Sequence, residues 1–446
     1  MSTTYLFVVI ILAIIAMIIA ITKLKAHPFL ALLIVSIALG LATGMNPKEI
    51  MTHVESGFGN ILGSVGIIVL TGGIIGVMLE KTGAALVIAN TILGAVGEKR
   101  SVLAMALTGY VAGIPLFCNS GYVVLAPIAR PMAKKSNVSL AVMATALSAG
   151  LFTTHCFTPL HPGTLAIANG LNANFGVLLG LGLIVAIPGT IAGVIYAKKI
   201  SSKIDIPPNP EFTEEELIAK YGKLPGKLHS FSPILIIVLL IALQAIASLE
   251  SAPFGTGAVK FFLDLVGNPS IALIIGMFVS MTLVAKSDRA NLTKYIGEGI
   301  NSSAGMLAII GAGGSFGAIL QELPLAESIG GNFLSPALGV ILPFIIAAFF
   351  KTAMGATTVV QVLATSMTLP MLDVLGLGSP MGRVLAALAI AAGSMVVSHA
   401  NDAYFWIVAE FSDMNTKQAY KAQTGMTLAI GLVSIIFIYL LSLILI

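Results

Sequence analysis

About a dozen apolar runs follow one another along this chain, and they leave little material for a water-soluble core. The first six are Tyr5–Thr22, Phe29–Thr43, Asn60–Leu79, Ser101–Phe117, Ser139–Phe157 and Phe175–Ala197. After a polar segment come Pro233–Leu249, Ile271–Ala285, Ser303–Leu320, Pro336–Phe350, Val384–Val397 and Thr427–Ile446. Crossing a bilayer takes about 20 apolar residues in a helix, so 446 residues allow about a dozen crossings. Only 9% of the residues are charged and 57% are hydrophobic, whereas soluble domains carry about 25% charged residues. That balance excludes an ordinary soluble enzyme, a disordered chain and a nucleic-acid binder. The expectation is an all-α polytopic membrane protein with about 12 membrane segments.

The net charge of +4 then reflects Lys and Arg in cytoplasmic loops, with no anionic macromolecular partner implied. Cys118 and Cys156 lie in apolar surroundings and suit neither a disulfide framework nor a metal cluster. No basic residue precedes the first apolar run, while Lys23 and Lys25 follow it. This order opposes a signal peptide and predicts a retained first helix with its N-terminus outside. The runs are rich in Gly and Ala, which let packed membrane helices approach closely.

The one long polar segment, Lys198–His229, divides the chain into membrane halves 1–197 and 232–446, joined by a linker at 198–231. Its lysines favour the cytoplasmic side. Ile206-Pro207-Pro208 and Pro210 predict extended chain, followed by a short helix at Thr213–Tyr221 with Thr213 and Glu216 as its capping pair. The halves carry matching pieces in matching order. Leu70–Glu80 (LTGGIIGVMLE) pairs with Gly311–Gln321 (GAGGSFGAILQ), and Ser148-Ala-Gly150 pairs with Ala391-Ala-Gly393. Each then turns polar, at Thr153–Pro159 and at Val396–Asp402. Duplicated halves meeting near the bilayer midplane are a transporter signature; the letters alone do not say whether the repeats are inverted.

Polar interruptions of apolar helices point to transport sites, because irregular backbone at membrane depth must face protein or water. Gly113–Gly121 (GIPLFCNSG) is one such break. Pro115 removes a helix hydrogen bond, Asn119 and Ser120 offer polar groups, and a half-helix starting there presents free N–H groups to an anion. The bland reading is a proline kink. Phe350–Thr358 (FKTAMGATT) is the equivalent in the second half. There Lys351 is costly inside a membrane unless it serves a pathway or has a partner, or unless it snorkels to the interface. Thr357 and Thr358 add hydroxyls, and Gly355 permits close backbone approach.

A third cluster, Thr153–Thr164, holds His155 and His161, and its counterpart Ser398–Asp402 holds His399 and Asp402. If helical, His399 and Asp402 share one face. A buried Asp or His can exchange a proton near neutral pH; a purely structural hydrogen-bonding role is the competing reading for the histidines. No metal-site spacing is present. Glu80-Lys81 reads as an interfacial ion pair, Glu322, Asp373 and Arg383 as structural, and Trp406 as part of an interface belt.

GIPLFCNSG, Thr158-Pro159 with His161-Pro-Gly163, Gly355-Ala-Thr357 and Ser398-His-Ala-Asn-Asp402-Ala-Tyr-Phe405 together resemble the gluconate permease family, in order from about Gly57 to Lys421. The family is similar to bacterial uptake systems for sugar acids and hydroxy acids, treated as proton symporters, within the ion transporter superfamily. The resemblance implies two inverted repeats, each with a re-entrant hairpin and a broken helix. It also implies a homodimer with scaffold and transport domains, elevator-like movement, and a place in the bacterial cytoplasmic (inner) membrane. The chain departs from the family pattern at the implied site. Asn119 stands where Asp is frequent, Lys351 where Arg is, and Gly355-Ala-Thr-Thr358 where Gly-Ser-Ala-Thr is. His161-Pro-Gly-Thr164 lacks a second proline. Lys351 keeps the charge without the bidentate fork of Arg, so the substrate need not be gluconate itself.

The expectation is a secondary active importer of a small organic acid anion, gluconate or a related sugar acid or hydroxy acid. Asn119, Ser120, Gly121, His161, Thr164, Lys351, Gly355, Thr357 and Thr358 would bind the substrate. Asp402 first, then His399 and His155, are candidates for proton coupling. No cofactor is expected, and the coupling ion is a proton, with sodium as the alternative. A sodium-coupled carboxylate carrier or an ion antiporter of the same superfamily is the rival reading. A membrane-embedded enzyme is disfavoured because no nucleophile–base pair or cofactor fingerprint is present. A channel needs no duplicated broken helices.

Overall fold

The computed structural model describes residues 3–97, 100–207, 224–247, 254–255, 257–323 and 339–446. Among them every regular element is helical. The first half contains α1 (Thr3–Thr22), α2 (Pro28–Ala42), α3 (Pro47–Lys81), α4 (Ala84–Val96), α5 (Ser101–Ala112), α6 (Cys118–Lys135), α7 (Leu140–Phe157), α8 (Pro162–Gly170) and α9 (Phe175–Lys199). The second contains α10 (Lys227–Ala247), α11 (Ala258–Val266), α12 (Pro269–Met281), α13 (Leu292–Gln321), α14 (Ile341–Met354), α15 (Thr357–Thr368), α16 (Pro380–Gly393), α17 (Ala403–Phe411) and α18 (Thr416–Leu445, with a π turn at Tyr420–Thr424).

Six described stretches are long and apolar enough to cross a membrane, and the pair α11/α12, bent by 67°, makes a seventh. Other apolar helices are shorter: α5 has 12 residues and both α14 and α16 have 14. Fourteen residues rise about 21 Å, against a hydrocarbon core of about 30 Å, so these stop part-way. The physical cause is in the letters: Gly113 and Pro115 end α5, Gly355 ends α14, and residues 394–402 interrupt the chain after α16.

The elements come in the same order in both halves. A long helix (α3, α13) is followed by a short pair around a tight break (α5/α6, α14/α15), a second interrupted pair (α7/α8, α16/α17), and a long apolar helix (α9, α18). The two long helices α3 and α13 pack antiparallel: Ser315 donates to the Val54 carbonyl at 2.7 Å and Ser303 to the Val69 carbonyl at 3.3 Å. They touch so closely that a Cβ on Gly57 would collide with the Gly314 carbonyl. α3 starts 13 residues before the apolar run expected at Asn60, fixed by Asn46 and Glu49 in a capping box with Pro47 in the first turn.

Burial grades from rim to centre. α9 exposes Ile184, Ile187, Ile191 and Ile195, and α18 exposes Leu428, Leu432 and Ile436, the pattern of helices facing hydrocarbon. α7 is buried at nearly every position and α16 is buried continuously from Val384 to Gly393. These two central helices lead directly into the breaks. The polar segment after α9 begins folded: Ile204 and Ile206 are buried, and the start of α7 bonds their backbone through Ser139 and Leu140. The helix expected at Thr213–Tyr221 lies outside the described residues.

Candidate functional site

At the first tip, between α5 and α6, the chain turns through Gly113–Phe117 and lies against the break between α7 and α8. His161, fully buried, is 2.7 Å through Nε2 from the Gly113 carbonyl oxygen. A carbonyl only accepts, so Nε2 carries the hydrogen and Nδ1 is left an acceptor; that Nδ1 is buried without a partner. The His155 ring sits 4.3 Å away, centroid to centroid, and its Nδ1 is also buried and unpartnered. Phe117 closes over both rings at 6.4 and 5.8 Å.

At the second tip, between α14 and α15, the chemistry is ionic. The Lys351 side chain is wholly buried, and Nζ donates to Asp402 Oδ2 at 2.7 Å, to Thr357 Oγ1 at 2.8 Å and to the Gly355 carbonyl. All three of its N–H donors are thereby used. It also lies 5.3 Å above the Phe152 ring on α7. Asp402 takes a second bond on Oδ2 from Ser398 Oγ at 2.6 Å, while Oδ1 caps α17 by accepting from the Tyr404 N–H at 3.1 Å. Gly355 has φ +80°, and a Cβ there would strike the Asn401 carbonyl, so only glycine lets the tip lie on the 394–402 break.

That break is not helical, so His399 and Asp402 do not share a helix face as expected. Residues 394–402 turn back on themselves, with the Asp402 N–H bonded to the His399 carbonyl at 2.8 Å. Val397 takes φ +52°, a left-handed conformation that a β-branched residue adopts only under constraint. His399 Nε2 and Asn401 Nδ2 both lie 2.9 Å from the Thr352 carbonyl, one of the orphan acceptors in the last turn of α14.

Gln361 on α15 ties the halves together and was missed in the sequence. It is buried, and its Nε2 reaches Ser394 Oγ at 3.1 Å, Thr164 Oγ1 at 3.4 Å and the Cys156 carbonyl at 3.5 Å. A lone glutamine in the apolar stretch VVQVLAT was the available signal. Ser148, Tyr404 and Gln423 form a second buried cluster, with Ser148 Oγ donating to Gln423 Oε1 at 2.8 Å and lying 3.1 Å from the Tyr404 hydroxyl.

The expected binding residues fall into three groups. Lys351, Gly355 and Thr357 meet Asp402 at the second tip. His161, Thr164 and Thr358 gather where α8 starts beside α15: Thr164 Oγ1 donates to the Cys156 carbonyl at 2.7 Å, and a Cβ on Gly163 would lie 3.2 Å from Thr358 Cα. Asn119, Ser120 and Gly121 occupy the first turn of α6. There Asn119 is exposed, Ser120 bonds back to the Phe117 carbonyl, and Gly121 packs on Leu116 and Leu151. Among the described residues no hydrogen bond joins this first-turn group to Lys351. α6, α8 and α15 all begin without a side-chain cap, so their first N–H groups are available to an anion; α17 is capped by Asp402. Among the described residues no three His, Cys, Asp or Glu side chains gather as metal ligands.

Elsewhere, Lys81 pairs with Glu298 at 2.9 Å and Glu322 with His53 at 3.5 Å. Arg383 donates to the Leu171 and Gly378 carbonyls. Residues 5–444 match the family model described as GntP family permease. The chain belongs to the GntP permease family. It is 33% identical to a gluconate permease of Pseudomonas aeruginosa, over 99% of this chain and 98% of that one. It is 30% identical to a D-serine transporter of Escherichia coli, over 97% of each. The fold matches the Alcanivorax borkumensis YdaH transporter with a TM-score of 0.65 at 14% identity, covering 93% of this chain and 98% of that one. This GntP permease is therefore a multi-pass membrane transport protein and not an enzyme.

Proposed function

We propose that this permease is a secondary active importer of a small organic acid anion, gluconate or a related sugar acid or hydroxy acid, coupled to protons. The observation that carries the reading is the buried Lys351–Asp402 pair at a hairpin tip beside the uncapped start of α15. Relatives named for gluconate and D-serine support a carboxylate as the common element.

The chemistry couples in one step. With Asp402 ionised, Lys351 is held by the protein and unavailable to an anion. Protonating Asp402 removes its hold on the ammonium, and the substrate carboxylate takes its place between Lys351 and the helix N-termini. Proton and anion then travel together, because either alone leaves an uncompensated buried charge. His155 and His399 remain the secondary candidates for carrying that proton.

The antiparallel packing of α3 on α13, with matching element order, supports two inverted repeats. In an elevator-like cycle, α3 and α13 form the scaffold, while the hairpins and interrupted helices move. Basic residues cluster at one end of the bundle, where Lys135 and Lys198 line a common surface near the start of α5. By the positive-inside rule that end is cytoplasmic, which puts the N-terminus, His53 and Glu322 outside. The protein works as a homodimer in the bacterial inner membrane.

Thermal stabilisation of the purified protein by a panel of acids, at two pH values, tests the reading. The panel holds gluconate, other sugar acids, glycerate, lactate, D-serine and dicarboxylates. A ligand that binds only the folded form at 100 times its Kd adds about 2.7 kcal/mol. A shift with a hydroxylated monocarboxylate, larger at low pH, is expected. Shifts with dicarboxylates alone would overturn the substrate class.

A further inference from the structure

Between the scaffold helices and the outer halves of α8 and α15 lies a cavity of about 410 Å³ that none of the groups above occupies. Its volume is within the range of small-molecule sites, about 300 to 1,000 Å³. One wall comes from α3, which exposes Ser56, Asn60 and Ser64 at successive turns on one face. An amide sits more cheaply against water or a ligand than against hydrocarbon, so this stripe suits a polar occupant. The opposite wall carries Asn169 on α8 and Thr365 and Ser366 on α15.

The bonding of these groups defines what fits. Ser56, Ser64, Thr365 and Ser366 each donate to a backbone carbonyl of their own helix, which leaves their oxygens free to accept. Asn169 Nδ2 donates to the Leu165 carbonyl at 3.0 Å, leaving Oδ1 free. Asn60 makes no side-chain hydrogen bond among the described residues. The walls thus alternate acceptors with amide donors, the complement of vicinal hydroxyls. Among the described residues no lysine or arginine lines the cavity, and Glu322 at its rim, 3.5 Å from His53, disfavours a second carboxylate. Ala166 lies two residues beyond Thr164, and Val362 four beyond Thr358, about 3 and 6 Å along their helices. The cavity therefore neighbours the acid-binding region, with the buried Gln361 between them, and is chemically unlike it.

We propose that this cavity is an entry site that holds the uncharged polyhydroxyl chain of the substrate before it reaches the acid-binding region, entered from the outer face, with Asn60 and Asn169 as its specificity-determining residues. The inference rests on the importer reading above for the order of entry, but not for the chemistry of the walls.

The test uses the full-length protein in proteoliposomes, with Asn60→Leu, Asn169→Leu and the double variant. KM for gluconate should rise about fivefold in each single variant, the size expected for one lost hydrogen bond of about 1 kcal/mol. KM for lactate, which has no distal hydroxyls, should stay within about twofold, with maximal rates unchanged. Equal KM changes for both acids, or none for either, would overturn the proposal. Asn60→Ala replaces any variant that does not fold. A carboxylate-free arm separates the two claims: sorbitol should raise the melting temperature of the wild-type protein more than that of Asn60→Leu, the shared part being the general exclusion of a polyol from folded surfaces. That difference without any response to organic acids would sink the importer reading and leave the entry site standing. No such difference would contradict the entry site itself.

Discussion

At the first hairpin tip a neutral imidazole holds the backbone, His161 to the Gly113 carbonyl; at the second, a buried ammonium and carboxylate hold each other, Lys351 to Asp402. The two tips occupy the same place in the element order, yet they differ in what breaking them costs. A neutral hydrogen bond contributes on the order of 1 kcal/mol net, whereas opening a buried ion pair exposes two uncompensated charges. The second tip can therefore open only when something neutralises or replaces a charge. That requirement is the physical basis for coupling proton and anion there, and the first tip lacks it.

The sharpest way to break this comparison is Lys351→Met. It leaves Asp402 buried and unpaired, and about 3 to 5 kcal/mol of stability should be lost together with all transport. Adding Asp402→Leu should restore most of the melting temperature without restoring uptake. A single variant with unchanged melting would show that Asp402 carries no charge in the folded protein. Asp402→Asn comes next. It keeps the N-cap of α17 through Oδ1 but puts an amide where Oδ2 accepts from Ser398 and Lys351, so some stability should be lost with the counter-charge. Accumulating uptake should disappear while exchange of substrate across the membrane persists, measured as counterflow.

Smaller effects are expected at the first tip. His161→Ala leaves the buried Gly113 carbonyl without its donor, for a loss of about 1 to 3 kcal/mol by thermal or denaturant unfolding. A loss as large as that of Lys351→Met would erase the contrast between the tips. Gln361→Leu removes the bond to Ser394 and the two long contacts to the other half, at Thr164 and Cys156, and should cost about 1 kcal/mol. Arg130→Ala, whose partner Asp413 is 44% exposed, should change stability by no more than about 1 kcal/mol.

Much of the frame was legible in the letters. Apolar runs and the Gly and Pro at 113, 115 and 355 marked both the helices and their interruptions, because those residues act locally. Lys351 stood out because a lysine amid FIIAAFF needs a reason. Asp402 stood out too, as the first coupling candidate, but its pairing with Lys351 did not, since it lies 51 residues away and only the fold of the 394–402 break delivers it. His399 and Asp402 had helical spacing, but Val397 in a left-handed conformation removes the helix that spacing assumed. The apolar run begins 13 residues after α3 does because Lys48, Glu49, His53 and Glu55 depress the hydropathy of its first turns. Gln361 was readable as a lone amide in an apolar helix and was passed over for charged neighbours.

The most direct test of the central claim is uptake of labelled gluconate into proteoliposomes without sodium, under an imposed inward proton gradient. The account predicts accumulation above the external concentration, collapse with a protonophore, and no accumulation in Asp402→Asn. Accumulation that ignores the proton gradient, requires sodium, or survives in Asp402→Asn would contradict it.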